Sequence, residues 1–223
     1  MAVKEVNGKQ YDRIPVRTHV IVRGEDIAKV VDDYTKDIRR PRDIIVVSEK
    51  ATAASQGRAI PIENIHPGFW AKFLVRFVTK TEYGIGLGMA ETLQMAIEEC
   101  GLPRILFAAV IGGFSKYVLR RRGVFYTIAG DKARAIDGPT HYTIPPYNRC
   151  VVLAPLQPDR VAAAIKRRTG HDAAIIDAND LGQNIMGVSS AHLRSMPLQQ
   201  ILCDNPLGQS IEQTPIGIIR EIL

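Results

Sequence analysis

The chain has 223 residues, of which 46% are hydrophobic and 23% are charged, so it can bury one substantial core or two small ones. This composition excludes disordered and fibrous proteins. Charged residues interrupt every apolar run before the ~20 residues that a membrane helix needs, and the N-terminal MAVKEVNGKQ lacks the apolar centre of a signal peptide. We therefore expect a cytoplasmic protein without membrane contact.

The net charge of +6 favours a partner that carries negative charge, whether nucleic acid, membrane or a phosphorylated small molecule. Basic residues cluster at positions 39–42, 120–122 and 166–168. The last cluster is expected in the final turn of a helix, where cations are favoured. Aromatic residues make up only 6% of the chain and no nucleic-acid-binding motif is present, so a nucleic-acid-binding module ranks last among the possible functions.

The hydrophobic pattern of the first 80 residues alternates between strand and helix periodicity. It predicts a strand over residues 14–22, a helix over 25–34 and a short buried strand over 43–47. Residues 68–78 are predicted to form a helix in which Phe69, Phe73 and Phe77 recur at four-residue steps. Such a stripe is more typical of a core than of a cofactor contact.

The remaining pattern predicts a helix over residues 89–99 that ends at Gly101, strands over 104–111 and 124–128, and a helix over 158–168 that stops at Gly170. The fold class is therefore mixed α/β. We predict a single domain over residues 1–223, and leave open two interleaved lobes with a soft boundary near the Pro-rich residues 143–148.

Two acidic segments of the second half, IDGPT (residues 136–140) and IIDANDLGQN (residues 175–184), each adjoin an apolar run. Carboxylates at strand ends, beside turn-forming Gly, Asn and Pro, are how α/β enzymes hold a divalent cation against a phosphate. The same residue types are also the ordinary constituents of turns. Metal-assisted nucleotide chemistry and a simple turn both remain open on this pattern.

Four segments, in this order, resemble the coenzyme F-420-0:L-glutamate ligases, the γ-glutamyl ligases of deazaflavin biosynthesis. RPRDIIVVSEKATAASQGR (residues 40–58) resembles the family's opening strand with its Lys and later Gly-Arg. Asp137 stands where the family has a Gly-Val-Asp turn. Residues 151–176 reproduce the order of strand, Pro-rich turn, helix and strand, and AAIIDANDLG resembles the final strand and loop of the family.

The resemblance implies a γ-glutamyl ligase-like fold, a homodimer, and GTP as the donor of a phosphoryl group that activates a small-molecule acceptor for amide formation with glutamate. It also implies Mg²⁺ or Mn²⁺, held by Asp137 and Asp180 with help from Asn179 or Asp177. The chain departs from the family at Ala53 and Ala54, where Ser-Lys is usual. A nucleotide-binding protein that kept the fold without the ligase activity is therefore the alternative.

Two kinds of residue are candidates for the nucleotide itself. Lys50 directly follows a predicted strand and can pair with phosphate as a point charge. Arg58 can donate two parallel hydrogen bonds to a phosphate or carboxylate group. Gly84, Gly86 and Gly88 precede a predicted helix whose positive end suits an anion. This loop matches neither the dinucleotide fingerprint nor a P-loop, and a plain connection into the helix is the competing interpretation.

No residue is assigned as catalytic. The sequence has no G-x-S-x-G elbow and no Cys/His nucleophile pattern, which argues against an acyl-enzyme hydrolase. The three cysteines are widely spaced, and we expect them to be reduced and buried. His141 follows Asp137 by four residues, where it is expected either to flank a metal or to be hydrogen-bonded within the loop.

Overall fold

A computed structural model describes residues 2–78, 85–118, 120–121, 123–141, 143–179, 182–208 and 212–222, without the side chains of residues 2, 117, 178, 179, 182 and 183. The chain divides into two compact units. The first contains Met1–Arg58 and Pro155–Leu223, and the second contains Ala59–Ala154. Helices and strands both contribute, so the predicted mixed α/β class is confirmed.

The described strands are β1 (Ala2–Val6), β2 (Lys9–Val16), β3 (Ile44–Ser48), β4 (Ala59–Pro61), β5 (Cys150–Val152), β6 (Asp172–Asn179), β7 (Gly182–Val188) and β8 (Ile216–Ile222). The described helices are α1 (Ile27–Thr35), α2 (Glu49–Ser55), α3 (Phe69–Leu74), α4 (Ala90–Cys100), α5 (Leu102–Tyr117), α6 (Val124–Ala129), α7 (Asp131–Arg134), α8 (Pro158–Thr169), α9 (His192–Ser195) and α10 (Leu198–Ile201). Short 3-10 turns cover Ile62–Asn64, Val75–Phe77 and Tyr147–Arg149.

The first unit is built on a six-stranded sheet with the order β1-β2-β8-β3-β6-β7. Strands β3 and β6 run parallel, and their register places Ser48 opposite Ile176. The other neighbouring strands are antiparallel. Strand β3 reads Ile-Ile-Val-Val-Ser, as expected for a strand that is buried on both faces.

Apolar side chains cover both faces of this sheet because successive strand residues point to opposite sides. One face packs against α1 and α8, with Val47, Ile175 and Ile165 among its buried residues. The other face packs against α9 and α10 through residues such as Ile176 and Leu198. The result is a three-layer unit in which the carboxyl ends of β3 and β6 lie at one edge.

The second unit contains α3 to α7 and the antiparallel pair β4 and β5. Its core includes Leu93, Ile105, Ile136 and Val151, each exposed by 1% or less. These residues come from α4, α5, the segment after α7, and β5. One hydrophobic cluster therefore joins helices to the two-stranded sheet.

The predicted strands over residues 104–111 and 124–128 are wrong, because these residues belong to helices α5 and α6. Their Val, Ile and Phe content favours strands locally. The buried side chains Ile105 and Ala108 are spaced three apart, however, which is helical spacing. Pro103 in the first turn of α5 is also a residue that helix starts accept.

The expectation that Phe69, Phe73 and Phe77 belong to a core is also wrong. Their exposed fractions are 72%, 40% and 62%. The predicted helix over residues 68–78 is divided into α3 and a 3-10 turn, and the three rings contact one another along its surface. This part of the chain therefore presents an aromatic surface.

Other expectations about single elements have mixed outcomes. The predicted strand over residues 14–22 ends at Val16 in the structure. Helix α8 begins with Pro158 and ends before Gly170, which adopts the left-handed conformation of a helix C-cap, as predicted. The cysteines are free thiols, but only Cys150 is buried, and Cys203 is exposed, so their predicted burial is wrong for Cys203.

Candidate functional site

Lys50 and Asp177 lie at the same edge of the sheet in the first unit. Lys50 is the second residue of α2, immediately after β3, and its side chain is exposed. Asp177 is half-buried and follows Ile176, the residue that pairs with the last residue of β3. The parallel pairing of β3 and β6 therefore brings a cation and a carboxylate to the edge of the sheet at which β3 ends, the kind of edge where α/β proteins collect ligands.

The turn from β3 into α2 is fixed by Ser48. Its hydroxyl accepts a hydrogen bond from the backbone N–H of Ala51, which caps the N-terminus of α2. Glu49, in the first turn, is only 5% exposed, and a carboxylate is favoured at a helix N-terminus. Sequence reasoning did not single out Glu49, although a charged residue between a buried strand and a candidate phosphate-binding lysine is a recognisable pattern.

Two alanines of α2 stand where the resembled family has Ser-Lys. Ala53 and Ala54 are 0% and 4% exposed, so both pack inside the first unit. A lysine at a buried position would need a charged partner or a path to solvent. The departure from the family pattern thus coincides with apolar packing.

Arg58 lies beyond the other end of α2. Its backbone N–H donates to the carbonyl of Ala53 across 2.9 Å, which places it after the helix C-terminus. The backbones of Lys50 and Arg58 are therefore separated by the length of α2. The structure puts only the first of them at the edge formed by β3 and β6.

The segment predicted as an acidic loop is largely a hairpin. Strand β6 extends to Asn179, and β7 begins at Gly182, with Asp177 paired to Asn184. Residues 175–179 and 182–184 of the acidic segment therefore belong to strands rather than to a loop, and Asp177 lies within β6. The side chain of Asn179 and all of Asp180 lie outside the described residues.

Asp137 belongs to the second unit and lies in the segment that follows α7. Its backbone N–H and carbonyl exchange two 2.9 Å hydrogen bonds with Val152, so β5 fixes its position. The next residue, Gly138, is buried, and a Cβ there would lie 2.8 Å from Cγ2 of Ile85. A glycine is therefore required for the close packing beside Asp137.

The glycine loop before α4 also belongs to the second unit. Gly84 lies outside the described residues. Gly86 has a φ of +46°, and the N–H of Gly88 donates to the carbonyl of Ile85 across 2.7 Å, which makes a tight turn. The turn thus gives Gly86 a conformational reason for being glycine, independent of any phosphate.

Tyr126 of α6 lies beside this turn and was missed because its segment was predicted to be a strand. Its hydroxyl is 3.6 Å from the position of a Cβ on Gly86. Burial raises the pKa of Tyr126, the backbone hydrogen bond from Leu87 opposes that rise, and the carboxylate of Asp137 adds to it. The phenol therefore stays protonated and acts as a polar group near Gly86 and Asp137.

Carboxylate oxygens are the donors that Mg²⁺ and Mn²⁺ prefer, and Asp137 and Asp177 each supply a half-exposed carboxylate. In the part of the chain that the structure describes, no group of three or more His, Cys, Asp or Glu side chains is placed to hold a metal ion. Mg²⁺ commonly binds to one or two protein carboxylates together with substrate phosphates and water. Each of these two carboxylates, taken within its own unit, is a donor of the type that such a cation binds.

Two of the three basic clusters are engaged in ion pairs. Lys166 lies 2.8 Å from Asp172, and Arg168 lies 3.6 Å from Asp32. Arg39 donates to the same Asp32 across 2.7 Å. The basic residues at the end of α8 thus pack with acidic neighbours, in the last turn of a helix as expected.

No helix among the described residues is long and apolar enough to cross a membrane. A comparison with curated proteins returned no match. A protein-family comparison matched residues 15–180 to the model of the F420-0:Gamma-glutamyl ligases. That match spans well over half of the chain, from β2 to the end of β6, and it includes Lys50, Asp137 and Asp177. The chain therefore belongs to the F420-0:gamma-glutamyl ligase family.

Proposed function

We propose that the protein joins a substrate carboxylate to the amine of an amino acid, with a nucleoside triphosphate as the phosphoryl donor. Family membership supports ligase activity. The structural observation that carries the proposal is the placement of Lys50 and Asp177 just beyond the last paired residues of the parallel strands β3 and β6. A basic and an acidic side chain at such an edge are suited to a nucleotide phosphate and its cation.

The reaction has two steps. A carboxylate oxygen of the acceptor attacks the terminal phosphorus of the nucleotide, the bond to the bridging oxygen breaks, and the nucleoside diphosphate leaves. The amine then attacks the acyl phosphate carbon, inorganic phosphate leaves, and the amine loses a proton as the amide forms. Lys50 would stabilise negative charge on the phosphates during the first step.

The resemblance suggests GTP as the donor, a glutamate-like amino acid as the amine, and Mg²⁺ or Mn²⁺ as the cation. We propose Asp137, Asp177, Asn179 and Asp180 as oxygen ligands, with Lys50, Arg58 and the glycines 84, 86 and 88 as nucleotide contacts. When bound, the cation would neutralise charge on the phosphates. We also propose that the protein is cytoplasmic and forms a homodimer.

A nucleotide-binding protein without ligase activity is the second candidate, and the packing of α2 favours it. Ala53 and Ala54 are buried where the resembled family has a polar pair. The loss of a polar contact in α2 can remove transfer chemistry while leaving Lys50 in place. The two candidates therefore differ in turnover and agree on binding.

The test measures phosphate release by the purified protein with GTP, Mn²⁺, mixed amino acids and a small-molecule extract as the source of acceptor. Ligase activity predicts release that requires both amine and acceptor, and that Lys50→Ala reduces. Lys29→Ala is the matched control, because Lys29 is 63% exposed and forms an ion pair with the surface residue Asp33 across 3.4 Å. Nucleotide binding without amine-dependent release would select the second candidate.

A further inference from the structure

Arg17 directly follows β2, at the same edge of the sheet as Lys50. The strand registers align one residue from each of four neighbouring strands in a row across the sheet: Val16, Ile216, Val47 and Ile175. Arg17 comes one residue after this row and Lys50 three residues after it. Strands β2 and β3 are both antiparallel to β8, so they run in the same direction. Both residues therefore leave the sheet at one edge.

Backbone hydrogen bonds join the segment around Arg17 to the end of β3. The N–H of Thr18 donates to the carbonyl of Gln213 across 2.9 Å. Two residues later, the carbonyl of Pro215 accepts a hydrogen bond from the N–H of Ser48 across 2.8 Å. The segment that leads into β8 thus connects the end of β2 to the end of β3.

The chain after Arg17 is held in place by the side chain of His19. One ring nitrogen lies 2.9 Å from the hydroxyl of Tyr34 in α1, and the other lies 2.7 Å from a carboxylate oxygen of Glu25. The second carboxylate oxygen of Glu25 accepts the N–H of Val22 across 2.6 Å. The backbone on both sides of Arg17 is therefore fixed, which lowers the entropic cost of a contact made by its side chain.

Arg17 differs from nearby arginines because no carboxylate pairs with it in the part of the chain that the structure describes. Its side chain is exposed. By contrast, Arg13 of the same strand is buried and paired with Asp204, and Arg220 of β8 is paired with Asp43. A guanidinium can donate two parallel hydrogen bonds to a carboxylate or a phosphate. At an edge where α/β proteins collect ligands, Arg17 is therefore suited to bind an oxyanion.

The order of the strands separates Arg17 from the carboxylate of Asp177. Strands β2, β8, β3 and β6 lie side by side, so the strand that leads to Lys50 lies between those of Arg17 and Asp177. Strands β2 and β3 are two strand spacings apart, which is roughly 10 Å. The long side chains of Arg17 and Lys50 shorten this gap. A polyphosphate, or a phosphate beside a carboxylate, can therefore contact both cations.

We propose that Arg17 binds a phosphate or carboxylate group of the ligands at this edge, and so determines which ligands bind beside Lys50. The inference rests on the function proposed above and adds a specificity-determining residue to it. The group belongs either to the nucleotide or to the amino acid substrate. In both cases Arg17 contributes charge-assisted hydrogen bonds to affinity and takes no part in the transfer of the phosphoryl group.

The test compares the dissociation constants of the parent protein, Arg17→Ala and Arg17→Lys by calorimetry at constant ionic strength. The probes are inorganic triphosphate, GTP with Mn²⁺, and L-glutamate in the presence of GTP and Mn²⁺. Loss of a charge-assisted contact predicts roughly 10- to 100-fold weaker binding in Arg17→Ala for the probe that carries the group. Arg17→Lys should recover part of this loss, because lysine keeps the charge without the planar pair of donors.

Arg167→Ala is the matched control. Arg167 is exposed in the last turn of α8, five residues before β6 begins, so it lies near the opposite edge of the same sheet. Both alanine variants remove one positive charge from an exposed residue, and both should keep the circular dichroism of the parent. General attraction of anions to a basic protein predicts small and equal losses in the two variants.

The outcomes separate the role of Arg17 from the ligase proposal. A loss confined to Arg17→Ala that appears with triphosphate and GTP assigns the group to the nucleotide, and a loss with glutamate alone assigns it to the amino acid. Equal affinities of Arg17→Ala and Arg167→Ala for every probe would overturn the inference, as would a parent protein that binds none of the probes. Triphosphate binding that depends on Arg17, without amine-dependent phosphate release, would support Arg17 and reject the ligase activity.

Discussion

Arg220 of β8 donates two hydrogen bonds to the carboxylate of Asp43. One runs from Nε to Oδ1 across 2.9 Å, and the other from a terminal guanidinium nitrogen to Oδ2 across 2.7 Å. The side chain of Asp43 is 1% exposed and that of Arg220 is 17% exposed. The backbone N–H of Arg40 also donates to Asp43, across 2.7 Å. This pair joins the last described strand to the entrance of β3, the strand that leads to Lys50.

Asp43→Ala should destabilise the protein by about 3 kcal/mol or more, because it leaves a guanidinium without its buried partner. Glu221→Ala is the control in the next residue of β8. Glu221 pairs with Lys9 at the surface, where both side chains are at least 39% exposed and water screens the charges, so this change should cost far less than Asp43→Ala. Urea denaturation of both variants measures the difference, and equal midpoints would contradict the role assigned to Asp43.

Gly187→Ala should be strongly destabilising because β7 and the start of α8 are in direct backbone contact. A Cβ on Gly187 would lie 2.4 Å from the carbonyl carbon of Pro158 and 2.5 Å from the nitrogen of Asp159. Overpacking of this kind costs about 1–3 kcal/mol or more. Gly113→Ala in α5 meets nothing within 4 Å and should stabilise the helix by about 0.5–1 kcal/mol. Thermal unfolding of the two variants should therefore shift in opposite directions.

Asp172 should give the protein an acid-sensitive component of stability. Burial pushes the pKa of Asp172 upward, but hydrogen bonds from Lys166, Ser190 and Ser189 outweigh it and hold the pKa below its ordinary value. The stabilisation is therefore present above the unfolded pKa of about 4 and is lost as the pH falls through the lower, folded value.

Asp172→Asn should accordingly lower the free energy of unfolding at pH 7, and the deficit should shrink as the pH is taken below about 4. Denaturant titrations across this range provide the measurement. Asp33→Asn is the control, because Asp33 is 49% exposed in a surface pair with Lys29. A deficit for Asp172→Asn that is constant from pH 7 to below 4 would show that its hydrogen bonds act without the charge.

Nucleotide binding should raise the melting temperature only when nucleotide and divalent cation are both present. A ligand at about 100 times its dissociation constant contributes roughly 2.7 kcal/mol, which corresponds to about 5–10 °C for a chain of this size. Lys50→Ala should reduce the shift, and Lys29→Ala should preserve it. Stabilisation by inorganic triphosphate without metal, fading with salt, would instead indicate general attraction of anions to a basic protein.

Asp137→Ala, Asp177→Ala and Asp180→Ala should each weaken metal-dependent GTP binding and leave the fold intact. Asp137 and Asp177 are half-exposed, so their carboxylates are removed without opening a cavity. Asp131→Ala is the matched control near Asp137, because Asp131 has an 82% exposed side chain. Calorimetric titration with GTP and Mn²⁺ measures the change. Parental affinity in all three variants would reject the proposed ligands.

Elements whose first and last residues carry strong start or stop signals were predictable from the sequence. Helix α8 has Pro158 at its start and Gly170 at its end, and β3 is a short apolar run before a capping serine. Helix α5 was predicted as a strand because its β-branched and aromatic residues favour strands one by one. The surrounding core of the second unit overrides that preference, and local composition contains no information about this packing.

The candidate site was predictable only in part, for a similar reason. The sequence placed Lys50 at a strand end, but it did not specify that β3 pairs in parallel with β6, which is what sets Asp177 at the same edge. Tyr126 was missed because its segment was assigned to the wrong kind of element. Pairing partners more than 100 residues apart are decided by tertiary contacts, which short patterns do not encode.

The position of β8 also determines the order in which the molecule can be completed during synthesis. This strand lies between β2 and β3, although it is the last of the three to leave the ribosome. Both β2 and β3 form hydrogen bonds with β8. The strand that connects them in the sheet is therefore missing until residues 216–222 have emerged. The core residues of the inserted unit, residues 59–154, have all been synthesised well before β8. A nascent chain arrested before residue 216 should consequently protect the inserted unit from protease while the flanking sheet remains cleavable.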